Sequence, residues 1–202
     1  MFYEADKPHG LPHDPLKSCV APRPIGWIST ISADGIANLA PYSFFNGISV
    51  APFAVMFASN GPQPHGPKDT ITNVEETGEF VVNMATWDLR EKVNLTSAPL
   101  LPEVDEFVHA GLTTKPSKMV KPPRVGESPI HLECVYMQTV DLPSDNPEFR
   151  NAMVLGRVVG VHIADDMLTD GLVDTAKLRP LSRMGYMEYA VIDDVFTMAR
   201  PE

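Results

Sequence analysis

Lys68, Asp69 and Thr70 stand together at the start of a helix-like stretch, and their types suit an anion. A cation, a carboxylate and a hydroxyl follow Gly66 and Pro67. Ile71 and Val74 then supply an apolar stripe, and Gly78 closes it, so the pattern predicts a helix over 69–77 with Asp69 or Thr70 as its cap. The first N–H groups of a helix lack internal acceptors and carry a partial positive charge, which makes this a natural seat for a phosphate or carboxylate. An ordinary solvated lysine beside an ordinary cap is the competing reading.

Two further stretches share the style. "NLAPYSFFNGIS" (38–49) sets Tyr42, Phe44 and Phe45 among Ser43, Asn46 and Gly47, and "FASNG" (57–61) ends an apolar run in Ser59 and Asn60. Small hydroxyl and amide groups with one cation suit a phosphate and a hydrogen-bonding edge, and aromatics suit a flat ring. Core packing and a plain turn explain each stretch taken singly.

Other chemistries lack their signatures. No GxGxxG follows a strand, and no GxxxxGK[ST], CxxC, HExxH or GxSxG occurs. His9 and His13 flank Pro12 in an irregular segment, so they make a poor metal pair; the remaining histidines are scattered. Cys134 lies on the apolar face of a strand pattern and reads as core, far in sequence from Cys19, so two reduced thiols are expected.

The elements that must hold these residues are mostly strands. "RPIGWISTIS" alternates, Asp34-Gly35 signals a hairpin turn, and 52–59, 79–85, 129–140, 152–164 and 188–198 read as further strands. Gly156 and Gly160 suggest bulges or close backbone approach. Thr86 opens a second short helix. Residues 1–22 read as an irregular arm, and 99–128, with five prolines, as an excursion packed over the core of a domain spanning 23–202. About six strands joined mainly by turns predict a mainly β fold with peripheral helices, an antiparallel barrel or sandwich.

The chain has 202 residues, 44% of them apolar, and a formal charge of −10, which bounds it to one globular domain without a nucleic-acid footprint. No apolar run is long enough to span a membrane, and the first residues lack a secretory pattern, so a cytoplasmic protein is expected.

Taken together, "RPIGWISTISADGIANLAPYSFFNGIS", "MFASNG…PKDTITNVEETGEFVVN", "DEFVHAGLT", "VKPPRVGESPIHLEC", "GRVVGVHI" and "LRPLSRMGYMEYA" resemble the flavin reductase-like family, over residues 23–190. The resemblance implies a six-stranded antiparallel split β-barrel, a homodimer, and FMN held non-covalently near the subunit interface. It places Tyr42, Ser43, Phe44, Phe45 and Asn46 at the flavin edge, with Ser59 and Asn60 at a strand end. Lys68, Asp69 and Thr70 would form the phosphate motif. Trp27, Ser29 and Thr30 would line the site, and Arg183 and Gly185 would close it. Many relatives carry a basic residue where this chain has Pro67, and a second glycine where it has Tyr186. NAD(P)H is the implied electron donor, and a small molecule or partner redox protein the acceptor. No side chain is required as acid or base. An electron carrier and a flavin-binding module without turnover are the alternatives.

Overall fold

The structure is a computed structural model that describes residues 1–61 and 66–201; His65 lies outside the described residues. Its main sheet is built from β1 (Gly26–Ile31), β2 (Ala37–Tyr42), β3 (Phe45–Val50), β4 (Phe53–Ser59), β5 (Glu79–Met84), β6 (Ile130–Leu142) and β7 (Asn151–Ile163). The order is β2-β1-β5-β6-β7-β4-β3, with every pairing antiparallel. The sheet therefore has seven strands where the resemblance implied six, and its two edge strands, β2 and β3, are not hydrogen-bonded to each other. The stretch 37–50, not among the strands read from the sequence, forms two of the seven, β2 and β3, linked by Ser43 and Phe44.

The sheet is strongly coiled. A Cβ added at Gly26 on β1 would lie 2.5 Å from the ring of Phe45 on β3, although the two strands stand far apart in the sheet order. Inside the curl, Ile28, Tyr42, Val55, Phe57, Phe80, Val82, Cys134 and Val154 form one core. Helix α1 (Asp69–Thr77) inserts Ile71 and Val74 into it. Alternation along β1 sends Trp27 the other way, into a second core with Leu39, Val93, Phe107 and Val125. That outer core is roofed by α2 (Arg90–Leu95) and α3 (Glu106–Ala110), which supply Val93 and Phe107. Cys134 is fully buried, and burial pushes its thiol pKa well up; both cysteines are free.

Gly156 and Gly160 sit at the two register shifts between β6 and β7. At Gly156 the reason is space, since a Cβ there would fall 2.2 Å from Phe80 Cζ. Buried Glu133 tethers the excursion: its carboxylate accepts from the backbone N–H of Lys118 and Met119 and pairs with His162 Nε2. A smaller sheet joins Arg23–Pro24 to β8 (Leu181–Arg183) and β9 (Tyr189–Val191). Of the strand expected over 188–198, only β9 forms; 192–200 carry no regular structure. Among the described residues, no helix is long and apolar enough to cross a membrane.

Candidate functional site

Helix α1 forms over the expected residues but starts differently. Lys68 holds the N-cap position with extended backbone (φ −70°, ψ 125°) and no side-chain cap, so Asp69 and Thr70 are the first helical residues. At the other end Gly78 adopts φ 75°, and its N–H donates to the Val74 carbonyl. Thr70 is buried and points inward: its hydroxyl donates to Asn38 Oδ1 on β2 at 2.7 Å. Asn38 Nδ2 in turn donates to Glu106 Oε1 at 3.0 Å, and the Leu39 N–H donates to Glu106 Oε2 at 3.0 Å. One turn further along, Asn73 Nδ2 donates to Thr30 Oγ1 at 3.0 Å. The helix start is thus fastened to β1, β2 and α3 by a buried polar network. Burial raises the pKa of Glu106, the bonds from Leu39 and Asn38 oppose that rise, and the charge of Asp69 adds to it.

Lys68 stays outside this network. It is half-buried, forms no ion pair among the described residues, and sets its Nζ 5.7 Å from the ring centre of Tyr42. Burial lowers its pKa. Tyr42 packs at 4.9 Å on Phe57, and burial pushes its phenol pKa well up.

Lys68 stands where two hollows meet. On one side is a cleft of about 460 Å³, walled by Ser59, Thr72, Phe149 and Arg150. Arg150 is held there by both oxygens of Glu75 at 2.9 Å and by Asp141 at 2.7 Å. On the other side is a polar gap of about 60 Å³ between Tyr42, Asp69, Thr70 and Glu106. Pro41 and Ser97 wall this gap and also a second cleft, of about 480 Å³, which Ser43, Phe44, Arg183 and Tyr186 line. The three hollows therefore run in sequence past Lys68 and Pro41, a track with a cation near its middle and aromatic side chains at both ends.

This track gathers Tyr42, Ser43, Phe44, Ser59, Lys68, Asp69, Thr70 and Arg183. The other expected residues lie elsewhere. Trp27, Ser29 and Thr30 are fully buried, with their polar atoms taken up inside the protein. Trp27 Nε1 donates to Thr96 Oγ1, Ser29 Oγ donates to the Pro123 carbonyl, and Thr30 Oγ1 accepts from Asn73. Phe45 packs over Gly26 beside an apolar hollow, and Asn46 and Asn60 are exposed. Gly185 is buried under the N-terminal arm, where a Cβ would fall 1.8 Å from Ser18 Oγ. Tyr186 holds φ 48°, the left-handed region that glycine adopts at least cost, and its ring faces His13 at 5.9 Å.

Sequence reasoning missed Asn38, Glu106, Arg150 and the arm residues Asp14 and Lys17, which line the second cleft. "DEFVHAG" does carry a capping signal, and Asp105 accepts from the Phe107 and Val108 N–H groups, but nothing local marks Glu106 as turned inward.

Comparison with known proteins bears on the family and the fold. An uncharacterized protein of Halalkalibacterium halodurans is 41% identical over 187 residues, covering 92% of this chain and 89% of that one. Nitrilotriacetate monooxygenase component B from Bacillus cereus superposes with a TM-score of 0.88 at 28% identity, over 98% of each chain. The 2-nitrobenzoate 2-nitroreductase of Pseudomonas fluorescens superposes with a TM-score of 0.80 at 26% identity, covering 92% of this chain and 88% of that one. Residues 18–182 match the family described as "Flavin reductase like domain". With a match over most of its length, the chain belongs to the flavin reductase-like family.

Proposed function

We propose that the protein is an FMN-binding oxidoreductase that takes electrons from NAD(P)H and passes them to a small acceptor. The observation that carries this reading is the track past Lys68: a lysine without an ion pair among the described residues, beside a helix start and set between clefts that can take the two ends of an elongated ligand. The residues fit the cofactor. FMN offers a phosphate dianion, a polyhydroxyl chain and a flat ring; the track offers a cation, hydroxyls and aromatic walls.

Bound FMN would supply hydride and electron transfer. The protein's own residues would bind and orient it. Lys68 places its charge where a phosphate would meet the first N–H groups of α1. Ser59 adds a hydroxyl on the same side, and Ser43 and Phe44 offer contacts at the far end. Thr70 does not spend its hydroxyl on the ligand; through Asn38 and Glu106 it fixes the direction of the helix start. Asp69 and Glu106 both wall the middle gap, but the Glu106 carboxylate is taken up by Asn38 and the Leu39 N–H, and no residue is assigned a proton-transfer role.

The same reading takes the protein to be cytoplasmic and a homodimer. Ile48, Val50 and Phe53 are exposed on the β3–β4 hairpin at one edge of the sheet, and a second copy covering them would bury apolar surface that one copy leaves in water.

An anaerobic absorbance spectrum of the purified protein with FMN, followed by NADH and then NADPH, tests this. Binding and bleaching by a nicotinamide are expected. A flavin that binds and stays oxidised would favour a carrier fed by a partner protein, and no flavin binding would refute the reading.

A further inference from the structure

The C-terminal segment leaves its apolar side chains in water. Its start is held: the Ile192 N–H donates to the Pro180 carbonyl at 3.2 Å, and Asp193 accepts from Arg179 Nε at 2.7 Å. Beyond Asp193, residues 194–201 form no hydrogen bond or ion pair among the described residues. Yet this stretch contains "VFTM" (195–198), and Val195, Phe196 and Met198 are all exposed, Phe196 at 84% and Met198 at 78%. Phe196 and Met198 are spaced to share a side when the segment is laid out as a strand. Singly exposed apolar residues are ordinary, but a cluster of them marks a contact surface.

The same chain carries a hollow of matching chemistry. It measures about 260 Å³ and is walled by Phe45, Val82, Ile130, Leu132, Pro180 and Leu181. Across the β6–β7 ladder Val161 pairs with Leu132, and Ile163 with Ile130. Paired residues share a face of the sheet, so these two exposed side chains extend the apolar lining outward as a rim. Asn83 also borders the hollow, but its amide is spent inside the protein: Nδ2 donates to the Trp27 carbonyl and Ser29 Oγ, and Oδ1 accepts from the Val125 N–H. Pockets for drug-sized ligands run to roughly 300–1,000 Å³ and carry polar groups that fix orientation. This one is smaller and offers little to orient a polar molecule, which suits an inserted side chain. Pro180, whose carbonyl holds the start of the tail, is one of its walls. The tail thus leaves from the edge of the hollow without filling it.

We propose that the hollow of one copy receives the C-terminal segment of a second copy, with Phe196 as the anchor and Val161 and Ile163 as the rim that closes on it. Each copy then gives one tail and takes one, a self-complementary exchange that a two-fold axis closes with no plug or hollow left over. The homodimer reading is thereby given a specific exchanged segment, and the exchange stands only if that reading does. Ile25 lines both this hollow and the second cleft, so the partner's tail would stand behind one wall of the track.

Sedimentation velocity over a dilution series, comparing the native chain with Phe196→Asp, Val161→Glu and Val108→Asp, tests the exchange. All three substitutions replace exposed residues, so folding is not at stake. Phe196→Asp and Val161→Glu should each raise the dimer Kd by about thirtyfold or more, as loss of a central anchor does. Val108→Asp, on α3 and away from both plug and hollow, should leave it unchanged. A second experiment mixes Thr197→Cys with Val161→Cys, both in a Cys19→Ser background, under mild oxidation; a disulfide joining the two different copies is expected. A dimer that neither Phe196→Asp nor Val161→Glu weakens would overturn the exchange and leave the homodimer to the β3–β4 hairpin. A native chain that sediments as a monomer would overturn both. An internal disulfide in the Thr197→Cys/Val161→Cys double variant, with no link between mixed copies, would give the hollow to the chain's own tail and overturn the exchange. Neither readout depends on FMN.

Discussion

Glu106 offers the sharpest test of how the helix start is held. Its carboxylate is 6% exposed and accepts two buried donors, the Leu39 N–H and Asn38 Nδ2, each at 3.0 Å. Glu106→Ala orphans both. An unsatisfied buried donor costs about 1–3 kcal/mol, so the loss should be roughly 2–6 kcal/mol, partly offset because a buried charge is also removed. Glu106→Gln keeps the shape and one acceptor, and about 1 kcal/mol is expected. The two also separate by pH. Burial raises the folded-state pKa of Glu106, so the native state binds this proton more tightly than the unfolded chain. The resulting stability is fully present below the ordinary glutamate pKa of about 4.3, and it is lost as pH rises through the raised value. The stability of the native chain relative to Glu106→Gln should therefore fall as pH rises across that window and then level off. Urea unfolding at fixed protein concentration, from pH 4 to about 7.5, measures both effects. A loss below about 1 kcal/mol for the alanine variant, or a pH-independent difference for the glutamine variant, would refute the network as described.

Lys68→Ala should weaken FMN binding about tenfold, a ~1.4 kcal/mol effect, read by flavin fluorescence, with turnover at saturating FMN little changed; unaltered affinity would remove Lys68 from the phosphate. Gly156→Ala should destabilise by about 1–3 kcal/mol, because the added methyl meets the ring of Phe80; a shift in the urea midpoint reports it. Burial tends to raise the pKa of Glu133, but its bonds to His162, Lys118 and Met119 hold it below the ordinary value. Its contribution is therefore present above the ordinary glutamate pKa and lost on acidification through the lowered one. Glu133→Ala should release the excursion, seen as faster hydrogen exchange at the Lys118 and Met119 amides with β6 still protected.

Local signals carried the parts of the fold that local forces decide. The α1 span follows from Ile71 and Val74 at helical spacing and from Gly78, whose positive φ a side chain would resist. The hairpin at Asp34-Gly35 is equally local: β1 and β2 pair around it, and Gly35 takes φ 86°. The cap was not legible, because Asp69 and Thr70 are both good cap residues and only the pull of Asn38, 32 positions earlier, turns Thr70 inward. Trp27 and Ser29 look exposed to a ligand in sequence and are not, since their partners lie 69 and 94 positions away. The last strand shortens to Tyr189–Val191 because only those residues find a ladder partner in β8. Asp14 and Lys17 were passed over because an arm broken by prolines has no period to read; its place is set by contacts with distant residues, among them Ser18 on Gly185 and His13 on Tyr186.

Those contacts also fix an order of events. Residues 14–25 leave the ribosome well before Arg183, Gly185, Tyr186 and Tyr189, which the cleft they border also needs. A nascent chain that stops short of residue 189 can coil the sheet and fill its inner core, but its arm has nothing to dock against. The second cleft is therefore completed only once residue 189 has emerged, when every strand of the sheet behind it has already been synthesised.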